Sequence, residues 1–246
     1  MQTIYLSPST QEFNPYAGGG NEEFYMNLIA DAMEPYLAAS GIGFMRNTPD
    51  MTAASAIAAS NSGVYDLHLA LHSNATASGN GMRRGIEVYY YPTSGAGKRF
   101  ADILVQNFKQ IYPLANNVSA ISTTSLGEVA RVKAPGVLIE IGYHDNIEDA
   151  DWVRNNIDLI AKTIVKALCE YFDIPFNLPE PIRIGSVKTN GGHLNIRTKP
   201  MPNAFIVGRI PNGAEVIVFA SVPGWYLVQY GTVNGYVAAQ YVQLAT

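Results

Sequence analysis

The chain has 246 residues, and 48% of them are hydrophobic, which is enough to bury a core. Its net charge of −4 argues against a protein that binds nucleic acid through phosphate contacts. The single cysteine, Cys169, cannot form an internal disulfide, and no apolar run reaches the roughly 18 residues of a membrane-spanning helix. The N-terminal sequence has neither the basic nor the apolar region of a secretory signal. These features predict one large or two smaller globular domains without a membrane span.

Strand and helix patterns alternate through the first part of the chain. Strands are predicted at residues 3–7, 43–46, 66–72, 85–91 and 136–142. Helices are predicted at residues 21–39, with Asn21 as the N-cap, and at 51–61, 96–111 and 146–172. This alternation predicts an α/β fold, with a mostly parallel or mixed sheet and helices on both faces. In such sheets the active site lies beyond the C-terminal ends of the strands.

Three prolines between residues 175 and 181 predict a stiff, extended connector. Beyond it, short alternating β-type runs are separated by Gly, Pro and Asn. We therefore predict a first domain at 1–175, a linker at 176–182 and a small all-β barrel at 183–246. Four aromatic residues are expected to fill the barrel, with one or two lining a groove: Trp225, Tyr226, Tyr236 and Tyr241.

A histidine stands at the end of the apolar strand predicted at 66–72. His72 is followed by small polar residues that cannot pack in a core. Neutral imidazole is the commonest zinc ligand, so His72 is a candidate metal ligand. A core histidine bound to a backbone carbonyl is the alternative, and for His68 on the same strand that alternative is the better interpretation.

Two glutamates complete the polar set at this edge of the predicted sheet. Glu140 interrupts the run Val-Leu-Ile-Glu-Ile, where a carboxylate needs a partner such as Arg131 or a role as general base. Glu22 begins a helix, where ordinary first-turn charge is the alternative. One histidine and two glutamates suit a catalytic zinc better than a serine or cysteine nucleophile, because the chain has no Gly-x-Ser-x-Gly motif.

Residues 3–173 resemble the zinc-dependent N-acetylmuramoyl-L-alanine amidases of the amidase-3 family. The motifs that carry the resemblance are IYLSPS at 4–9, NEEFYMNLIA at 21–30, ALHSNA at 70–75 and PGVLIEIGYHDN at 135–146. The resemblance implies that Glu22 and His72 bind zinc and that Glu140 is the catalytic base. It also implies that Arg131 and Asn74 bind substrate.

One motif departs from the family pattern. Where the family has Asp-Pro-Gly-His-Gly with a zinc-binding histidine, this chain has Ser-Pro-Ser-Thr-Gln-Glu at 7–12. Gln11 is the nearest candidate for the missing ligand, and an amide binds zinc more weakly than imidazole does. Glu12 or Thr10 could substitute for it. A weaker zinc site, a variant metal site and a domain without catalysis therefore all stay open.

Residues 183–246 resemble a bacterial SH3-like domain, through LNIRTKP at 194–200, GWYLVQY at 224–230 and VNGYVAAQYV at 233–242. The two resemblances together imply a monomeric peptidoglycan hydrolase, an autolysin or endolysin at the cell wall or outside the cell. Its reaction would cleave the amide between N-acetylmuramic acid and L-alanine of the stem peptide, with a water molecule activated by zinc as nucleophile. A catalytically silent peptidoglycan-binding protein and a zinc peptidase acting within the stem peptide are the alternatives.

Overall fold

A computed structural model describes residues 2–77 and 79–245. The chain forms two compact units. The first contains Thr3–Glu34 and Phe44–Phe172, and the second contains Pro35–Gly43 and the chain from Asp173 onward. Within the described ranges, no helix combines the length and the apolar character needed to cross a membrane.

The first unit is built on a six-stranded mixed sheet with the order β2-β1-β3-β6-β4-β5. Its strands are β1 (Thr3–Pro8), β2 (Gly43–Arg46), β3 (Leu67–Asn74), β4 (Ile86–Tyr90), β5 (Val118–Ser122) and β6 (Gly136–Tyr143). Strand β3 runs parallel to β1 and β6, β4 runs antiparallel to β6, and β5 runs parallel to β4. The predicted mixed α/β sheet is confirmed, and β5 is a strand that the sequence patterns did not predict.

The residues that the structure describes form six α-helices: α1 (Glu22–Ser40), α2 (Ala53–Ser62), α3 (Gly95–Phe108), α4 (Gly127–Ala130), α5 (Ile147–Asn155) and α6 (Ile157–Phe172). The single helix predicted at 146–172 is wrong, because the chain leaves helical geometry at Asn156. Asn146 begins α5 by accepting hydrogen bonds from the backbone N–H groups of Glu148 and Asp149. The short helix α4 was not predicted.

A β-bulge lies where β3 and β6 end. His72 pairs with Glu140 and Asn74 pairs with Tyr143, so β6 carries one extra residue over this step. Gly142 supplies it with a φ of +77°, a left-handed conformation that favours glycine. Glu140 also pairs with Glu87 on β4. His72, Glu140 and Glu87 therefore form one row across three neighbouring strands.

The second unit carries a seven-stranded antiparallel sheet, consistent with an SH3-like domain, with the order β13-β7-β10-β11-β12-β8-β9. Its strands are β7 (Arg183–Val187), β8 (His193–Arg197), β9 (Ile206–Pro211), β10 (Glu215–Val222), β11 (Trp225–Tyr230), β12 (Val233–Ala238) and β13 (Val242–Leu244). Its largest buried cluster is aliphatic. Of the four aromatic residues expected to fill it, Tyr236 is buried, Tyr226 packs half-buried on the cluster, and Trp225 and Tyr241 line a groove.

Candidate active site

Three elements bring the predicted polar residues together at the ends of β3 and β6. Asn21 begins α1 by accepting a 2.8 Å hydrogen bond from the backbone N–H of Phe24. Glu22 follows as the first helical residue and is 1% exposed. His72 extends from the end of β3, and Glu140 stands beside it on β6. The residues predicted from separate motifs thus share one site.

His72 is held at both ring nitrogens by carboxylates. Its Nδ1 lies 2.8 Å from Glu22 Oε1, and its Nε2 lies 3.0 Å from Glu128 Oε2. Burial lowers the pKa of His72, but the two carboxylates outweigh it and raise the pKa to about 10. We call this arrangement of Glu22, His72 and Glu128 the carboxylate clamp.

Of the three residues considered for the missing ligand, Gln11 contacts His72, whereas Glu12 is exposed. The Nε2 atom of Gln11 lies 3.2 Å from His72 Nδ1. Its Oε1 accepts a 3.0 Å hydrogen bond from Asn14, whose side-chain amide also donates to Glu22 Oε2 at 2.6 Å. Asn14 therefore turns the Gln11 nitrogen toward His72. A metal bond through Gln11 Oε1 requires this amide to rotate by half a turn.

Glu140 has the opposite environment. Its Oε2 is buried without a hydrogen bond to any described residue. Burial is the main cause that raises the pKa of Glu140 from 4.5 to about 7; Glu22 and Glu87 raise it further and His72 opposes them. Within the described chain Glu140 forms no ion pair with Arg131, the partner that a purely structural role would have used. A carboxyl group with this pKa can both accept and donate a proton near neutral pH.

The donor set fits a divalent ion in part. Among residues 2–77 and 79–245, no three His, Cys, Asp or Glu side chains are arranged as a metal site. Glu22 Oε1 and His72 Nδ1 do meet, with the amide of Gln11 as the third polar group. Carboxylate and imidazole are good zinc ligands and an amide is a poorer one. The set therefore suits an ion held more weakly than by three strong ligands.

A cavity of about 400 Å³ opens beside the clamp. It is lined by His72 and Glu128 and by residues from the end of β1, the following loop and the start of α2. Asn74 and Arg131 lie outside this lining. Asn74 donates a 2.9 Å hydrogen bond to Glu87, while the side chain of Arg131 is exposed at the end of α4.

Sequence reasoning missed two buried residues of this site. Glu128, which was not among the predicted site residues, contacts His68 and His72. His144, which received no role, is 6% exposed and donates from Nδ1 to the backbone oxygen of Ser73 at 2.9 Å. A four-residue helix shows no periodicity, so no pattern marked Glu128 as buried.

The comparisons with known proteins agree with this fold. The family profile described as N-acetylmuramoyl-L-alanine amidase matches residues 11–170, and that of the bacterial SH3 domain matches 192–243. Among solved structures, the amidase AmiC2 of Nostoc punctiforme has a TM-score of 0.63 at 17% identity, covering 70% of this chain and 97% of its own. The catalytic domain of the CD27L endolysin targeting Clostridia difficile has a TM-score of 0.58 at 23% identity, covering 69% and 98%. The comparison with curated protein sequences finds no match.

The fold and the two profile matches define an α/β domain of the N-acetylmuramoyl-L-alanine amidase type, followed by an SH3-like domain. The first match covers well over half of the chain. The chain belongs to the N-acetylmuramoyl-L-alanine amidase family known as Amidase_3.

Proposed function

We propose that this protein is a peptidoglycan hydrolase that cleaves the amide between N-acetylmuramic acid and L-alanine of the stem peptide. Family membership supports the class of reaction. The observation that carries the proposal is the position of Glu140, a half-buried glutamate in the same row as His72 whose Oε2 is buried without a hydrogen-bond partner among the described residues. With a pKa of about 7, Glu140 can accept a proton from the attacking water and donate one to the leaving amine.

We propose Zn²⁺ as the cofactor, held by Glu22 and His72 with Gln11 as the third, weaker ligand. The contact of Glu22 Oε1 with His72 Nδ1 supports this choice. When bound, zinc lowers the pKa of a water molecule and polarises the scissile carbonyl. Loading the site displaces the proton shared by Glu22 and His72, so zinc affinity rises with pH.

Glu140 carries the proton transfers in this proposal. Its carboxylate accepts a proton from the attacking water and returns it to the nitrogen of the leaving L-alanine. Arg131 and Asn74 are proposed to bind the substrate, with Arg131 offering its exposed guanidinium to a carboxylate of the stem peptide.

The product decides between this reaction and its alternatives. Purified peptidoglycan is incubated with the zinc-supplemented protein, and the soluble fragments are identified by mass spectrometry. The proposal predicts free stem peptides that begin with L-alanine, released from intact glycan strands. Fragments cut within the peptide but still joined to the sugar would indicate a zinc peptidase and overturn the assigned bond.

A catalytically silent binding protein is favoured by one observation, the amide of Gln11 in place of a third strong ligand. It predicts no soluble fragments at saturating zinc, with wall binding retained. Recovery of hydrolysis in Gln11→His alone would show that the wild-type site is silent because it lacks that ligand.

We also propose that the SH3-like domain binds the peptide part of the wall, and that residues 176–182 link it to a catalytic domain at 1–175. The domain contains a groove of about 610 Å³ lined in part by Trp225, Tyr241 and Arg197. Because peptidoglycan is the proposed substrate, we propose that the protein acts at the cell wall or outside the cell. We also propose that it acts as a monomer.

Wall binding tests this groove. Trp225→Ala and Tyr241→Ala should each weaken binding to purified walls about fivefold, or about 1 kcal/mol, in a sedimentation assay. Phe205→Ala removes an aromatic side chain that is 76% exposed outside the groove, and it serves as the matched control. Equal binding by all three variants would exclude the groove as the wall-binding surface.

A further inference from the structure

The short helix α4 places one charged residue deep in the first unit. Glu128 is 6% exposed, although the helix that carries it has only four residues. Burying an isolated carboxylate is costly, so its partners indicate why it is there. Its partners are the hydroxyl of Ser7 and the rings of His68 and His72.

Both carboxylate oxygens of Glu128 are occupied. Oε1 accepts a short hydrogen bond from the hydroxyl of Ser7 and lies 3.3 Å from His68 Nε2. Oε2 lies 3.0 Å from His72 Nε2. His68 is held in turn, because its Nδ1 lies 2.9 Å from the hydroxyl of Ser60. Ser7 on β1 and His68 on β3 therefore hold the Glu128 carboxylate in place independently of His72.

The contact with Glu128 determines which nitrogen of His72 is free to bind. A carboxylate oxygen only accepts, so Nε2 donates to Glu128 Oε2, and in the metal-free protein Nδ1 donates to Glu22 Oε1 in the same way. A metal ion bound at Nδ1 would replace that second proton, while Glu128 keeps the proton on Nε2. Histidines that bind metals commonly donate their second N–H to a carboxylate, which orients the ring and strengthens it as a ligand.

We infer that Glu128, supported by Ser7 and His68, is a positioning residue that holds the His72 ring with Nδ1 directed at the metal position. This inference rests on the proposed function, because it concerns the zinc ligand proposed there. Glu128 acts through His72 and needs no contact with the ion or the substrate.

The test is the zinc affinity of the metal-stripped full-length protein, measured by competition with a chromophoric chelator. Glu128→Gln keeps the size of the side chain and removes its charge, and we expect zinc to bind about 10–100-fold more weakly. Glu170→Gln, an exposed glutamate on α6, is the matched control and should bind as the wild type does. Ser7→Ala leaves the carboxylate in place and removes one support, so a smaller loss is expected.

A second readout separates positioning from general destabilisation. In the zinc-loaded wild type, ¹⁵N NMR of histidine should show His72 protonated at Nε2, and Glu128→Gln should change that signal while the signals of the SH3-like domain stay unchanged. If Glu128→Gln does not fold, Ser7→Ala carries the test. Zinc affinities within twofold of the wild type in every folded variant would overturn the inference.

The outcome for the wild type distinguishes this inference from the proposed function. Wild-type protein that binds zinc but releases no peptide from peptidoglycan would contradict the proposed function and leave the role of Glu128 intact. Wild-type protein that binds no zinc would contradict both.

Discussion

Glu128 and Glu140 are two glutamates in contrasting surroundings around the same histidine: Glu128 is buried, whereas Glu140 is half-buried with one buried oxygen. Both oxygens of Glu128 are hydrogen-bonded and its pKa falls to about 2, whereas one oxygen of Glu140 is unpaired and its pKa rises to about 7. Glu22 resembles Glu128, since its contacts with His72 and Asn14 outweigh its burial and lower its pKa. Hydrogen bonding therefore separates chemically identical side chains by their pKa: it is lowered in Glu22 and Glu128, which have partners, and raised in Glu140, whose buried oxygen has none.

The difference teaches how roles are assigned in this site. A carboxylate that accepts hydrogen bonds from its neighbours stays ionised and held in one orientation, which suits a ligand or a support. A carboxyl group that lacks partners keeps a pKa near neutrality and can exchange protons during a reaction. In the proposed function, the clamp would therefore serve binding and Glu140 proton transfer, although both surround the same histidine.

The largest expected effect is the loss of catalysis on removal of the proton carrier. Glu140→Gln should lower the rate of peptide release about 10²–10⁴-fold, because an amide cannot accept the proton of water. Zinc content should stay that of the wild type, since Glu140 is not a proposed ligand. The rate is measured as new L-alanine amino groups, with Glu170→Gln as the control, and activity retained in Glu140→Gln would remove its assigned role.

The same substitution in the clamp should destabilise the metal-free protein. Glu22→Gln leaves His72 without one of its two carboxylates and should lower the free energy of unfolding by about 3 kcal/mol at pH 7. Because the folded-state pKa of Glu22 is below 4.5, its stabilising effect is present above pH 4.5 and is lost on further acidification. Calorimetry at pH 7 and below pH 4 checks both statements; equal stability of the two proteins at pH 7 would contradict the clamp.

At Glu140 the Glu→Gln substitution should have the opposite effect on the free energy of unfolding. The folded-state pKa of about 7 exceeds the ordinary 4.5, so ionisation of Glu140 destabilises the fold as the pH rises from 4.5 to about 7, and the effect stays constant above that. Glu140→Gln should therefore stabilise the metal-free protein by about 2–3 kcal/mol at pH 8 and leave it nearly unchanged at pH 4. A destabilised variant at pH 8 would show that Glu140 has a partner in solution.

The smallest effect concerns the third ligand. Gln11→His replaces a neutral amide by an imidazole and should raise zinc affinity about tenfold, or about 1.4 kcal/mol. Chelator competition measures the change, and Glu12→His, at an exposed neighbouring position, is the matched control. Unchanged affinity in Gln11→His would place the third ligand elsewhere.

The sequence predicted the parts of this molecule that depend on long, regular patterns. The apolar runs around His72 and Glu140 identified the two central strands, and the N-cap Asn21 identified the start of α1. Two buried strands that end in polar residues must place those residues at one edge of a sheet, so the meeting of His72 and Glu140 followed from the pattern.

The features that escaped prediction depend on contacts between distant segments. Strand β5 buries only Val118 and so lacks a clear apolar alternation, and helix α4 is too short to show a period. The break at Asn156 interrupts an apolar stripe that continues beyond it. The orientation of the Gln11 amide is set by Asn14, and the burial of Glu128 is set by β1 and β3. No local pattern encodes such long-range partners.

The location of the metal ion tests the account most directly. Crystals of the full-length protein soaked in zinc, with anomalous diffraction recorded at the zinc absorption edge, would show where the ion binds. The account predicts one strong peak in contact with Glu22 Oε1 and His72 Nδ1, with Glu140 outside the first coordination sphere. A difference map without a peak at these atoms under saturating zinc would contradict it.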